Sequence, residues 1–264
     1  MSSTIAKALK LLDYFSKEEP ELGVSDLARR SGVDKAAIHR MFASMMDSGL
    51  IEKNAKSRLY RLGPGVLRLA TIREHAFPME SIIKGHLRPL GVETGETAHA
   101  QIISGLSVVS IASFESTQSN RVSPMIGDIN PMHATASGLV ILAYCSEALR
   151  KRVLGQKMEA ITTFTQTDPK SVEQQIEQAF AQGYGEADQT YFENVHGIAA
   201  PIFDNERLPI GAMAVATPSH RMTPELRGRI IKAVLKTAVQ VTGETGGTHP
   251  IGYLSRIDEA LQGA

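Results

Sequence analysis

The sequence predicts an α+β protein in two parts: a small N-terminal unit of three helices closed by a β-hairpin, and a larger unit with a largely antiparallel sheet. Three observations predict it. A chain of 264 residues exceeds one typical domain. Up to Met45 the apolar residues recur at three and four positions, and Arg58 to Leu62 then alternates apolar with polar. From Thr97 onward, short strand-like runs are interleaved with helical stretches.

Composition narrows the class. Hydrophobic residues make up 42% and charged residues 21%, which are ordinary globular values, and no apolar run is long enough to span a bilayer. With no secretory signal either, a soluble cytoplasmic protein without membrane contact is expected. Cys145 is the single cysteine, so neither a disulfide framework nor a thiolate zinc cluster is predicted. The net charge of zero conceals an asymmetry. Residues 1–75 carry 13 Lys and Arg against 9 Asp and Glu, and the remainder is acidic by the same margin.

In the N-terminal unit, Ile5, Ala8, Leu9, Leu11, Leu12 and Phe15 form one face of a first helix, which Glu18, Glu19, Pro20 and Gly23 end. Ser25 is read as the cap of a short second helix, with Asp26 in its first turn. Asp34 caps a third, whose apolar face is Ile38, Met41, Phe42 and Met45. Small Ala28, then Gly32, Val33 and Ile38 meet the demands of a helix-turn-helix: close approach, an unusual turn backbone and two buried contacts. Ile51-Glu52 and Arg58 to Leu62, joined by the turn Asn54-Ala55-Lys56-Ser57, then read as a wing. A winged helix-turn-helix implies operator DNA as partner. Lys35, Ala36, Ala37, His39 and Arg40 occupy the exposed first turns of the third helix, with Ser25 at the start of the second and Lys56 and Arg58 on the wing. Arg40 suits bidentate contact with guanine, whereas Lys35, Lys56 and Arg58 suit phosphates. A single module of this kind covers a short half-site, so a homodimer on a pseudo-palindromic operator is expected, paired through this domain and the linker helix.

The larger unit is predicted to contain a helix at Ser81–Gly91, strands at Thr97–Ile103, Leu106–Phe114 and Arg121–Met125, and helices at His133–Cys145 and Glu147–Leu154. Asp168-Pro169 opens a further helix that ends at Gly183. Strands at Gly197–Phe203 and Leu208–Ala216 flank the turn 204–207, and a long helix covers Pro224–Val241. After Thr242 come a loop and a short helix, Leu254–Leu261, with no assigned role.

With the wing followed by Gly63-Pro64-Gly65-Val66-Leu67-Arg68-Leu69, the sequence resembles the IclR family of bacterial regulators. The stretches Thr94 to His99, Pro131 to Gly138 and Gly197 to Asp204 resemble that family's effector domain in order and spacing, so that residues 4–243 are covered. The resemblance implies a GAF-like effector-binding domain, dimers that pair into dimers of dimers, and transcription switched by a small metabolite. A repressor is expected in preference to an activator. The domains then run 1–63 for DNA binding, 64–79 for a linker helix, 80–243 for the effector domain and 244–264 for the tail.

The resemblance also gives the pocket. His133, Ala134, Thr135, Ala136 and Ser137 form a small-residue helix start whose free N–H groups and dipole suit an anion. Gly197, Ala214 and Ala216 stand where family members often carry Cys or Ser toward the effector, a departure that implies a larger or less polar ligand. Met125, Met213 and Val195 would add adaptable apolar contact. Asp188 begins a stretch that resembles the family's acidic segment, and His196 completes the expected lining. The effector is expected to be an organic acid or a related aldehyde, lactone or aromatic compound.

The competing reading is a small-molecule hydrolase or other enzyme. No G-x-S-x-G, P-loop or H-E-x-x-H is present, and Ser81-Ile82-Ile83-Lys84 lacks the motifs that accompany a catalytic S-x-x-K. His99, His133 and His196 have no ligand-spaced pair, so core or pocket roles are favoured over a metal. No catalytic residue, metal or cofactor is predicted.

Overall fold

The computed structural model describes residues 4–16, 18–76 and 79–263, and they divide into two compact units at 78/79. Each unit has its own core.

In the first unit, α1 (Thr4–Lys10) gives way to a 3-10 turn at Leu12–Tyr14, so the first helix stops earlier than its apolar pattern suggested. Helices α2 (Val24–Ser31) and α3 (Lys35–Asp47) follow. Gly32 between them has φ +69°, a backbone that L side chains rarely adopt, and its N–H closes α2 onto Ala28 O at 3.0 Å. Leu11, Leu27, Ile38, Phe42 and Tyr60 form the centre of the core. Strands β1 (Ile51–Lys53) and β2 (Tyr60–Leu62) pair antiparallel, and Leu22 adds a bridge to Tyr60 from the other side. Ser25 is not a cap. Gly23 O accepts from both Asp26 N and Leu27 N, so the helix begins two residues earlier and Ser25 stands exposed in its first turn. Helix α4 (Gly65–Ala76) follows. Of the linker expected over 64–79, residues 77 and 78 lie outside the described residues and Met79 already belongs to α5.

The second unit contains α5 (Met79–Thr94), β3 (Thr97–Ser104), β4 (Ser107–Phe114), β5 (Ile129–Pro131), α6 (Ala136–Tyr144), α7 (Glu147–Leu154) and α8 (Pro169–Gln182). Then come β6 (Gly185–Asp188), β7 (Val195–Phe203), β8 (Pro209–Pro218), α9 (Pro224–Glu244) and α10 (Tyr253–Gly263). The six strands form one antiparallel sheet in the order β5-β4-β3-β8-β7-β6. It is the α+β arrangement expected. Ile198, Met213 and Val215, fully buried, alternate with Gly197, Ala214 and Ala216 along their strands, so the two sets face opposite sides.

One expected strand is absent and one strand was not expected. Residues 121–125 form no strand: Pro124 has no N–H to give a ladder, Arg121 bonds Glu115, and Val122 O accepts from Thr97 Oγ1 at 2.7 Å instead. The strand beside β4 at that edge is β5. Strand β6 went unread, because Gly-Glu-Ala-Asp carries no apolar alternation. The tail is clipped onto this unit: Tyr253, 1% exposed, donates to Gly183 O at 3.1 Å, and Arg256 lies 4.2 Å from the centre of the Phe180 ring.

Candidate nucleic-acid interface and ligand cavity

The interface is built around the start of α3. Asp34 accepts hydrogen bonds from Ala36 N and Ala37 N at 2.9 and 3.2 Å, which fixes the first turn and leaves Lys35, Ala36, His39 and Arg40 exposed and Ala37 half-buried. His39 Nδ1 lies 3.4 Å from Tyr60 Oη, so the recognition helix and the wing strand touch at this point. In the wing turn, Asn54 Oδ1 accepts from Lys56 N and Ser57 N, while Asn54 Nδ2 and Ser57 Oγ both donate to Glu21. Those two donors hold the Glu21 carboxyl below its ordinary range and moor the wing to the segment before α2. Lys56 and Arg58 are carried at its exposed tip, Arg58 with φ +62°.

Charge pairing sorts the cations of this unit. Arg29 is bonded to Asp26, Arg30 to both oxygens of Glu19, and Arg61 to Glu52 and Glu21. Among the described residues, no carboxylate pairs with Lys35, Arg40, Lys56 or Arg58. The four cations read as the DNA face thus remain uncompensated, as do Lys7, Lys10 and Lys53. Sequence reasoning missed Lys7 and Lys10, which line a groove with Arg40, Ser31 and Ser44.

The second unit encloses a cavity of about 630 Å³, its open mouth included. The sheet supplies one wall through His99, Gln101, Ser110, Gly197, Ala214 and Ala216. Opposite lies the start of α6, where Thr135 caps the helix by accepting from Gly138 N at 3.1 Å. The α6 start packs over Gly197, where a Cβ would meet Ala136 Cβ at 3.5 Å, an ordinary van der Waals contact. Gly138 and Gly185 are tighter still, each a Cβ away from a collision with backbone, at Met132 and Ala136 respectively. The remaining walls are Val122, Pro124, Asp128 and Asn130 on one side and Ala187, Thr190, Tyr191, Phe192 and Val195 on the other. Both loops are tethered: Arg221 bonds Glu96 and Asn120 O, and Thr190 Oγ1 donates to Ala134 O at 2.7 Å.

Of the expected lining residues, Ala134, Thr135, Ala136, Ser137, Val195, Gly197, Ala214 and Ala216 stand on the cavity. Five stand elsewhere. His133 Nε2 is 3.1 Å from Glu159 O in a separate depression, and Met213 is fully buried on the sheet's other face. His196 Nε2 is 2.7 Å from Glu186, whose carboxyl burial alone would raise but hydrogen bonds from Arg227 and His196 hold at about 2. Asp188 accepts from Ser219 Oγ, and Met125 is exposed beyond the rim. Missed altogether were Gln101, Ser110, Asp128 and Asn130, while His99, read as a core or pocket residue, stands on the cavity.

The polar groups on the cavity differ in how they are satisfied. Gln101 Nε2 donates to Ser110 Oγ at 3.2 Å and to Asn130 Oδ1 at 2.7 Å, a buried amide network. His99 Nδ1 and Ser137 Oγ are buried without a partner among the described residues. Burial lowers His99 to about pKa 4, so its imidazole is neutral at physiological pH. Among the described residues no Lys or Arg lines the cavity, and no cluster of His, Cys, Asp or Glu could hold a metal. No helix among them is long and apolar enough to cross a membrane.

Comparison with known proteins matches both units. Residues 4–55 match the IclR helix-turn-helix domain, and residues 75–243 match the C-terminal domain of bacterial transcriptional regulators of the IclR type. The glycerol operon regulatory protein of Streptomyces coelicolor is 28% identical over 245 residues, 92% of this chain and 96% of that protein. The transcriptional repressor IclR of Escherichia coli is 26% identical over 247 residues, covering 92% and 90%. A crystal structure described as an IclR transcriptional regulator of a Silicibacter species superposes with a TM-score of 0.87 at 36% identity, covering 94% of this chain and 98% of that one.

Proposed function

The chain belongs to the IclR family of DNA-binding transcriptional regulators, and on that premise we propose how its two units divide the work. Lys35, Arg40, Lys56 and Arg58 meet DNA, Arg40 at a guanine edge and the others at phosphates. Ser25, Ala36, Ala37 and His39 complete the contact surface, and Lys7 and Lys10 extend it along the groove they share with Arg40. The observation that carries this reading is the sorting of cations: among the described residues none of the four expected to touch DNA has a carboxylate partner, whereas Arg29, Arg30 and Arg61 are paired.

The cavity takes a small organic effector, with its acceptor end at the α6 start and the Ser137 hydroxyl. To switch transcription, the effector must bind the DNA-competent and DNA-incompetent conformations unequally. We assign the protein to the cytoplasm, as a repressor that acts as a homodimer on a pseudo-palindromic operator. Ile5 and Leu9 on α1 and Leu67, Leu69 and Ile72 on α4 are exposed, and a second copy would cover them.

The test begins by selecting operators from random duplex DNA with the full chain. A two-fold related site is expected, and Arg40→Ala should flatten the preference at one base pair per half-site, a loss of about 1–3 kcal/mol of discrimination. An unchanged preference in that variant would remove Arg40 from base reading.

A further inference from the structure

The two ends of the cavity ask for different chemistry. At one end, α6 offers N–H groups and the Ser137 hydroxyl, 1% exposed and without a partner, so this end suits an acceptor such as a carbonyl or a single carboxylate. Ala136 packs over Gly197 on β7. At the other end, Gln101, Ser110 and Asn130 are joined by hydrogen bonds at the β3-β4-β5 edge, with residue exposures of 5%, 2% and 4%. Asp128 joins them on the cavity wall, and no cation pairs with its carboxylate among the described residues. Ser110 N donates to Asp128 O at 3.0 Å, which places this acid beside the amide network.

Sheet order sets the distance between the ends. Gly197 on β7 and Ser110 on β4 are separated by three strand spacings, roughly 14 Å of backbone. Side chains reaching inward from both ends shorten that to roughly 8–10 Å for a bound molecule. Between them the walls are apolar: Val122, Pro124, Val195, Ala214, and the Tyr191 and Phe192 rings, packed edge to face at 4.6 Å.

Resting on the reading of this cavity as the effector site, we propose that Asp128 and its amide neighbours form a specificity subsite for a hydroxyl group. The effector is accordingly an apolar-bodied molecule with a hydroxyl at one end and a carbonyl or carboxylate at the other. A hydroxyl both donates to the Asp128 carboxylate and accepts from the Asn130 amide, which a bare ring edge cannot do. A second anionic group would face Asp128 with no lysine or arginine among the described residues to offset it, so dicarboxylates and other compounds with an anion at both ends are excluded.

Three probes of one shape test this on the full-length protein by calorimetry: 4-hydroxycinnamate, cinnamate and 4-carboxycinnamate. The first is expected to bind about tenfold or more tightly than the second, and the third not measurably. Asp128→Asn should let 4-carboxycinnamate bind without loss of operator binding. Cinnamate binding as tightly as its hydroxy form would overturn the proposal, as would 4-carboxycinnamate matching it in the wild type. Failure of all three at about 10 mM, a free energy weaker than about 3 kcal/mol, would equally overturn it. Ser137→Trp and the milder Ala216→Leu separate the two levels. If 4-hydroxycinnamate binding survives both, the cavity is not the binding site at all; if both abolish it while the probe order is wrong, only the subsite assignment falls.

Discussion

The proposed DNA face and the cavity are assembled in opposite ways. Apart from Lys7 and Lys10, the proposed face comes from one continuous stretch, Ser25 to Arg58, in which a turn glycine, a capping aspartate and exposed cations stand in sequence order. The cavity is assembled from segments between His99 and Ala216, brought together by sheet register and loop tethers. A local site can be read from spacing. A site made by long-range pairing depends on which face of each strand turns inward, and that is fixed only by the fold.

The largest expected effect tests whether the two regions are independent. Phe42 is fully buried, 4.9 Å from the Tyr60 ring and 6.3 Å from Phe15, so Phe42→Ala should cost the first unit about 3–5 kcal/mol. Calorimetry should show one transition lowered and operator binding lost, while the transition of the second unit stays in place. Joint movement of both would mean a single cooperative unit.

A smaller effect belongs to the cavity alone. Neutral His99 takes up a proton on unfolding, so stability is complete above about pH 6.5 and falls as pH drops toward 4. The second unit should lose on the order of 3 kcal/mol at pH 4, and His99→Gln should remove that portion in urea titrations. The Glu186 contribution is lost in a lower window, between about 4.5 and 2, so the two can be told apart. A pH profile unchanged in the variant would contradict the buried, unpartnered imidazole.

The smallest effect returns to the recognition helix. Asp34→Ala leaves Ala36 N and Ala37 N without their acceptor and should lower the stability of the first unit by about 1 kcal/mol. Hydrogen exchange at those two amides should rise with it. If it did not, the cap would be held by something other than Asp34.

Particular residues show where sequence reading stopped. Gly32, Asp34, Asp168 and Gly183 announced their turns and caps because each role requires that residue type, and each stands in that role. Thr135 to Ser137 and Gly197 were placed through family resemblance and do stand on the cavity. Met213 was expected beside Ala214 and Ala216, yet alternation sends it to the opposite face. Gln101 and Ser110 gave no signal, since they face each other only through a register shift between Ala100 and Gln101. Asp128 lies in a stretch where the sequence suggested a neighbouring strand, and nothing local points it into the cavity.

The central claim is that uncompensated cations, rather than all cations, form the DNA face. Operator affinity measured against salt tests it most directly, in Lys35→Ala, Lys56→Ala and Arg58→Ala beside Arg29→Ala. Each of the first three should reduce the magnitude of the slope of log K against log salt by about 1, and Arg29→Ala should leave it unchanged. An equal loss from Arg29→Ala, or none from the other three, would contradict the account.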